Sequence, residues 1–118
     1  MKAFATSVTA AASCFTLSAF AACEQPSMVA VPDGETASME ELLAAQENVK
    51  TYLADMEVYL ACLNEELETA GEDAPAEFKS LMVTRHNAAV TEMETVAAAF
   101  NQQVQAYRAA NPEEADSP

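Results

Sequence analysis

The sequence predicts an all-α protein, a long antiparallel two-helix hairpin of coiled-coil type with an extended N-terminal arm. Apolar side chains recur in alternating steps of three and four residues over two long stretches, which is the spacing of a heptad seam. Only residues 71–74 separate the two stretches, and a connection this short makes two helices antiparallel neighbours. A segment containing Pro26 and Pro32 precedes the first stretch and favours an extended arm.

Residues 1–21 have the composition of a secretory signal peptide. Lys2 is followed by an apolar stretch rich in Ala, Ser and Thr, and the tripeptide Ala-Phe-Ala at 19–21 is an A-x-A cleavage site. The first acidic residue, Glu24, comes only after this site. We therefore expect an exported chain, located in the periplasm of a Gram-negative bacterium. The alternative is a weakly hydrophobic N-terminal helix that stays attached.

Cys23 allows a second interpretation of the same region. Phe20, Ala21 and Ala22 place small residues just before Cys23, as in a lipobox, although Phe stands where Leu is usual. An outer-membrane lipoprotein anchored at Cys23 is therefore an alternative localisation. An acylated Cys23 would have no thiol left for a disulfide.

Residues 22–37 form the predicted arm, and its length suggests where Cys23 lies. After removal of the signal peptide only Cys23 and Cys62 remain, and an even pair in an exported chain indicates a disulfide. An extended arm from Cys23 to Glu35 covers about 40 Å. The helical rise from Thr36 to Cys62 covers about 39 Å. An arm folded back along helix 1 would thus bring the two cysteines together; unpaired or intermolecular thiols are the alternative.

Helix 1 is predicted over residues 38–70. Ser38 and Glu41 fit a capping box, and Gly71 suits the left-handed residue that ends a helix. Gln46 is the one polar member of the seam and either sets register and partner choice or lies in water at the open end. The seam of helix 1 consists of Met39, Leu42, Gln46, Val49, Leu53, Met56, Leu60, Leu63 and Leu67.

Helix 2 is predicted over residues 75–110. Asp73 is the expected N-cap, Pro75 suits the first turn, and Asn111-Pro112 stops the helix. Residues 112–118 are expected to be a disordered acidic tail. The seam of helix 2 consists of Val83, His86, Val90, Met93, Ala97, Phe100, Val104 and Tyr107.

A second apolar row runs beside each seam and makes the apolar face wider than a two-stranded seam needs. The arm, a second copy or another protein must cover it. If the arm covers this face, its residues Met28, Val29 and Val31 would lie over Tyr52 and Tyr59. Tyr52, Tyr59, Met82 and Val96 are accordingly the interface candidates. The complete second row is Ala45, Tyr52 and Tyr59 in helix 1, and Met82, Ala89 and Val96 in helix 2.

The charge of the chain excludes several classes of partner. All nineteen acidic residues follow Ala22, whereas only four of the five cationic residues do, which gives the part after the signal peptide a net charge of −15. Such a charge repels nucleic-acid phosphates and anionic membrane surfaces. We expect no membrane span in the mature chain, since no segment approaches ~20 strongly apolar residues.

No constellation of residues indicates catalysis or a cofactor. The carboxylates occupy outward helix positions, and the chain has no Asp/Asn-rich calcium loop. His86 is the single histidine, and with Met82 and Met93 on the same side it is a weak candidate for binding a soft metal such as Cu(I). Methionines in a helical seam are more often packing residues.

A set of short patterns resembles a known group of proteins. These are Cys23-x-x-Pro26, Pro32-Asp33-Gly34, Gln46, Val49-Lys50, Tyr52, Tyr59-Leu60-x-Cys62, Arg85-x-Asn87 and Phe100-Asn101. Together they are similar to small exported helical proteins of proteobacterial genomes, a group to which we attach no activity. The resemblance covers most of the mature chain and implies a Gram-negative periplasm.

From these features we expect a non-enzymatic periplasmic or envelope protein that acts by protein–protein contact or self-association. One alternative is a periplasmic metal or small-ligand binding protein centred on His86 and Met82. The other is the lipoprotein anchored at Cys23.

Overall fold

The computed structural model describes residues 23–115. The expected signal peptide at 1–21 and the last tail residues at 116–118 therefore lie outside the described residues. Three helices follow the arm: α1 at Met39–Ala70, α2 at Ala76–Ala110 and α3 at Pro112–Ala115. The helices α1 and α2 pack against each other as a hairpin, and residues 23–115 contain no strand. The predicted all-α fold is confirmed.

The start of α1 has the predicted capping box. The Ser38 hydroxyl accepts from the Glu41 amide at 3.1 Å, and the Glu41 carboxylate accepts from the Ser38 amide at 2.7 Å. Two of the amides that a helix start leaves without partners are thereby satisfied. At the other end Gly71 has φ +75°, and its amide donates to the carbonyl oxygens of Leu67 and Glu68.

The start of α2 differs from the prediction. Pro75, not Asp73, is the N-cap, and no side chain caps this helix. The loop turns first, with the Ala74 amide donating to the Gly71 carbonyl oxygen, so helical geometry begins only at Ala76. Pro75 tolerates this position because the first amides of a helix lack intrahelical acceptors in any case.

The prediction of a wholly disordered tail is wrong for residues 112–115. These residues form α3, and Glu114 in α3 accepts a hydrogen bond from the Tyr107 hydroxyl in α2. The Asn111 side-chain amide also donates to the Tyr107 carbonyl oxygen at 2.9 Å. These bonds fold the first tail residues back onto the open end of the hairpin.

The arm lies along the hairpin and is joined to it near both ends. Cys23 and Cys62 form a disulfide with Cα atoms 5.7 Å apart, as the length match predicted. At the other end the Gly34 amide donates to the Gln103 side-chain oxygen in α2 at 2.8 Å. Between these points Val29 packs against the core, whereas Met28, expected over the tyrosines, is 65% exposed.

The core of the hairpin includes part of the second row as well as part of the seam. In α1 the seam residues Met56 and Leu63 are at most 1% exposed, and Tyr52 and Tyr59 of the second row are 4% and 5% exposed, whereas the seam residues Leu53 and Leu60 are only half-buried. In α2 the second row is innermost, because Met82, Ala89 and Val96 are buried while the predicted seam residue Val83 is 51% exposed. The main buried cluster consists of Val49, Tyr52, Met56, Tyr59, Leu63, Met82, Ala89 and Val96.

Gly34 allows a close approach between the arm and α2. A Cβ atom at this position would overlap the Gln103 carbonyl oxygen and lie 2.9 Å from the Tyr107 backbone nitrogen. Both neighbours belong to helical backbone, which cannot move aside as a side chain can. The turn after Pro32 therefore requires glycine because of this close contact with α2.

The Gly34→Ala variant tests this approach. We expect its free energy of unfolding to fall by roughly 1 to 3 kcal/mol, the usual cost of overpacking. Urea denaturation followed by circular dichroism measures the change. Ser27→Ala, an exposed arm position, is the control and should leave stability unchanged. Equal stability of the two variants would contradict the close approach.

Replacing both Cys23 and Cys62 by Ser tests the disulfide. The cysteines are 39 residues apart, so the double variant should lose roughly 3 to 4 kcal/mol in the chain-entropy description. A reductant should destabilise the wild-type chain by a similar amount and leave the double variant unchanged. Free thiols in the unreduced monomer, detected by alkylation and mass spectrometry, would rule the bond out.

Candidate functional site

The disulfide lies beside a carboxylate that the sequence prediction did not single out. Cys23, Cys62 and Glu66 are half-buried, and their sulfur and carboxylate oxygen atoms all lie within 4.8 Å of one another. Cys62 and Glu66 share one face of α1 because residues four apart are neighbours on a helix. In residues 23–115 this is the one group of three His, Cys, Asp or Glu side chains with metal-ligand spacing.

An open groove of about 550 Å³ lies next to the disulfide. The arm forms one side, and α1 forms the other with Asp55, Val58 and Tyr59. The groove gives solvent and small solutes access to the sulfur atoms from the arm side.

A hydrogen-bonded group of three side chains holds the arm close to its Cys23 end. Glu92 in α2 accepts from the Tyr52 hydroxyl at 2.5 Å and from the Gln25 side-chain amide at 2.9 Å. The group thus joins α1, α2 and the arm at one carboxylate. Tyr52 was predicted as an interface residue, and no sequence pattern links it to Glu92, forty positions away.

The environment of Tyr52 favours its protonated form. Burial raises the pKa of the hydroxyl, and the hydrogen bond to Glu92 and the negative charge of that carboxylate raise the pKa further. Tyr107 has a raised pKa as well, chiefly because its hydroxyl donates to Glu114.

His86 and Met82 line one groove, together with Leu63, Leu67 and Val83. Met82 is 2% exposed and belongs to the buried cluster, so its side chain packs in the core. His86 is half-buried and belongs to no group of three potential ligands among His, Cys and carboxylate side chains of residues 23–115. The placement of Met82 favours packing over the proposed soft-metal site.

The four predicted interface residues do not form an exposed surface. Tyr52, Tyr59, Met82 and Val96 are each at most 5% exposed within the single chain. The arm and the opposite helix already cover these residues within the single chain, so they offer little accessible surface to a partner. Exposed apolar side chains lie on both sides of the hairpin: Met28 and Val58 on the arm side, and Met39, Leu43 and Val83 on the other side.

This other side, here called the open face, carries apolar side chains that no part of the arm covers. Leu43 is 54% exposed, Val83 is 51% exposed and Met39 is 45% exposed. Two grooves cut into the face, and neither is lined by any residue of the arm. The open face consists of Met39, Leu43, Leu53, Leu60, Leu67, Val83, Val90, Met93 and Val104, all exposed or half-buried.

The most exposed members of the open face lie near the two ends of the hairpin. Met39 and Leu43 line one groove at the open end, and Val83 lines a second groove nearer the loop. Leu53, Leu60 and Met93 lie between these ends, are half-buried and pack against the core. Exposed apolar patches mark interaction sites in many proteins. Among the described residues, no helix has an apolar stretch long enough to cross a bilayer.

No protein-family model, curated protein or solved structure matches the chain.

The pKa of Tyr52 predicts a loss of stability at alkaline pH. The unfolded chain releases this proton near pH 10, whereas the folded chain keeps it, so the free energy of unfolding falls as pH rises above about 10. Tyr52→Phe should reduce the slope by up to about 1.4 kcal/mol per pH unit. Denaturant unfolding of the wild type and of Tyr52→Phe at several alkaline pH values measures how the free energy of unfolding depends on pH.

Glu92→Gln provides the companion test, because it removes the charge but keeps an acceptor. Tyrosine ionisation followed by ultraviolet absorbance should then begin at lower pH than in the wild type. An identical alkaline slope in wild type and Tyr52→Phe would contradict the role of this hydroxyl.

Proposed function

We propose that the chain is an exported, non-enzymatic protein of the Gram-negative cell envelope that acts by protein–protein contact through the open face. The observation that carries the proposal is the uncovered apolar surface along α1 and α2. Burying apolar surface yields about 25 cal/mol per Å², so a partner on this face would gain affinity from each side chain it covers.

A second copy is the simplest partner. Two hairpins that meet by their open faces would form a four-helix bundle, the usual way in which helical hairpins complete a core. A two-fold arrangement would use the same face on both copies, which a single self-complementary surface permits. The negative charge of the chain opposes this contact, so it should strengthen as salt screens the repulsion.

The disulfide supports the proposed location. Bonds of this kind persist in oxidising compartments such as the periplasm and are rare in the cytosol. The apparent signal peptide and the resemblance to exported proteobacterial proteins favour the same location. Because the Cys23 sulfur is bonded to Cys62, it is not free to carry a lipid, which disfavours the outer-membrane lipoprotein.

Val83 and Val58 offer a matched test of the contact. Both are exposed valines on the hairpin, at 51% and 70%, but Val83 lies on the open face and Val58 beside the arm. Val83→Glu should raise the dissociation constant of self-association at least about tenfold, since burying an unpaired carboxylate costs more than ~1.4 kcal/mol. Val58→Glu should leave it unchanged.

Size-exclusion chromatography with light scattering, over a range of protein and salt concentrations, measures the association. A folded wild-type chain that stays monomeric at all concentrations would rule out self-association. Equal weakening by both variants would show that net charge, not the open face, controls the contact.

A further inference from the structure

Cys23, Cys62 and Glu66 form a set whose chemistry depends on the oxidation state of the sulfurs. As a disulfide, the two sulfur atoms are poor metal ligands. As thiolates they are strong ligands for thiophilic divalent cations, and the Glu66 carboxylate supplies a third donor. We propose that the reduced chain binds one Zn²⁺-class ion through these three side chains.

The positions of the three groups suit such an ion. Zinc–sulfur bonds of ~2.3 Å in a tetrahedral site separate two sulfur atoms by about 3.8 Å. The Glu66 carboxylate oxygen lies within 4.8 Å of both sulfur atoms, and the two sulfur atoms must separate from bonding distance to about 3.8 Å after the sulfur–sulfur bond opens. The adjoining groove leaves room for a water molecule as the fourth ligand.

The arm has other attachments that keep Cys23 close to Cys62 after reduction. The Gln25 side chain donates to Glu92 only two positions away, and Val29 packs against the core. The Gly34 amide holds the far end of the arm at Gln103. These contacts give the two thiols a high effective concentration, which is the condition for chelation by one chain.

A dithiol reductant supplies the two electrons that reduce the Cys23–Cys62 disulfide. One thiolate of the dithiol attacks a sulfur of the Cys23–Cys62 bond and forms a mixed disulfide, and the second thiolate then displaces the remaining cysteine. The dithiol leaves as a disulfide, and the chain gains two thiols. Binding of the cation releases the two thiol protons, and Glu66 supplies a carboxylate oxygen as the third ligand atom.

The negative surface charge also favours a cation at this position. Thiolate ligands select zinc-like ions over Mg²⁺ and Ca²⁺, which prefer oxygen donors. The disulfide lies on the arm side of the hairpin, away from the open face.

Titration with Co²⁺, a coloured substitute for Zn²⁺, tests the proposal. The purified chain is reduced with a dithiol, freed of it without air, and titrated with Co²⁺ alone while sulfur-to-metal charge-transfer absorption is recorded. We expect one ion per chain, displacement by Zn²⁺, no binding to the oxidised chain and none to Cys62→Ser.

A comparison of variants at Glu66 and Glu65 shows whether Glu66 takes part in binding the ion or whether the two cysteines bind it alone. Glu66→Gln should weaken Co²⁺ binding about tenfold or more, comparable to the loss of a supporting group in other metal sites. Glu65→Gln changes the next carboxylate, which points about 100° away around α1, and should have no effect. Circular dichroism of each reduced variant shows whether the helices persist.

Three results would overturn the proposal. They are failure of the reduced chain to bind Co²⁺, equal affinities of the Glu66→Gln and Glu65→Gln variants, and a stoichiometry of one ion per two chains. Reduction could also unfold the chain, and the ion would then bind to the two free thiols without help from Glu66. In that case the Glu66→Gln and Glu65→Gln variants would have equal affinities, and this result would also reject the site.

Discussion

The fold depends on the arm covering one side of the hairpin. Two antiparallel helices alone bury a narrow seam, and the apolar face of this chain is wider than that seam. The arm supplies a third segment, tied by Cys23 at one end and by Gly34 at the other. With it in place, Met56 and Leu63 are at most 1% exposed, although residues 23–115 contain only two long helices.

The arm also decides which surface remains for partners. Because it lies beside Tyr52 and Tyr59, those side chains become core, and the opposite side of the hairpin keeps apolar side chains that the arm does not cover. The arm side carries the disulfide and Glu66, and the open face carries apolar groups. The two sides therefore favour different chemistry: contact with protein on one, and redox-dependent ligation on the other.

Most of the features that were predicted correctly depend on residues close together in the sequence or on simple chain length. The capping box at Ser38 and the positive φ at Gly71 follow from a few neighbouring residues. The disulfide followed from comparing the length of an extended arm with that of a helix. The start of α2 at Ala76 and the short helix α3 were not predicted, because each depends on hydrogen bonds made after the hairpin has formed.

The sequence by itself determined the helices, their antiparallel order and the pairing of Cys23 with Cys62, since spacing, caps and chain length act locally or through simple reach. Tertiary structure alone decided which apolar row is buried. Heptad spacing shows that a helix has an apolar stripe, but not from which side a third segment will cover it. The meeting of Tyr52, Glu92 and Gln25 depends on that side, as does the position of the open face.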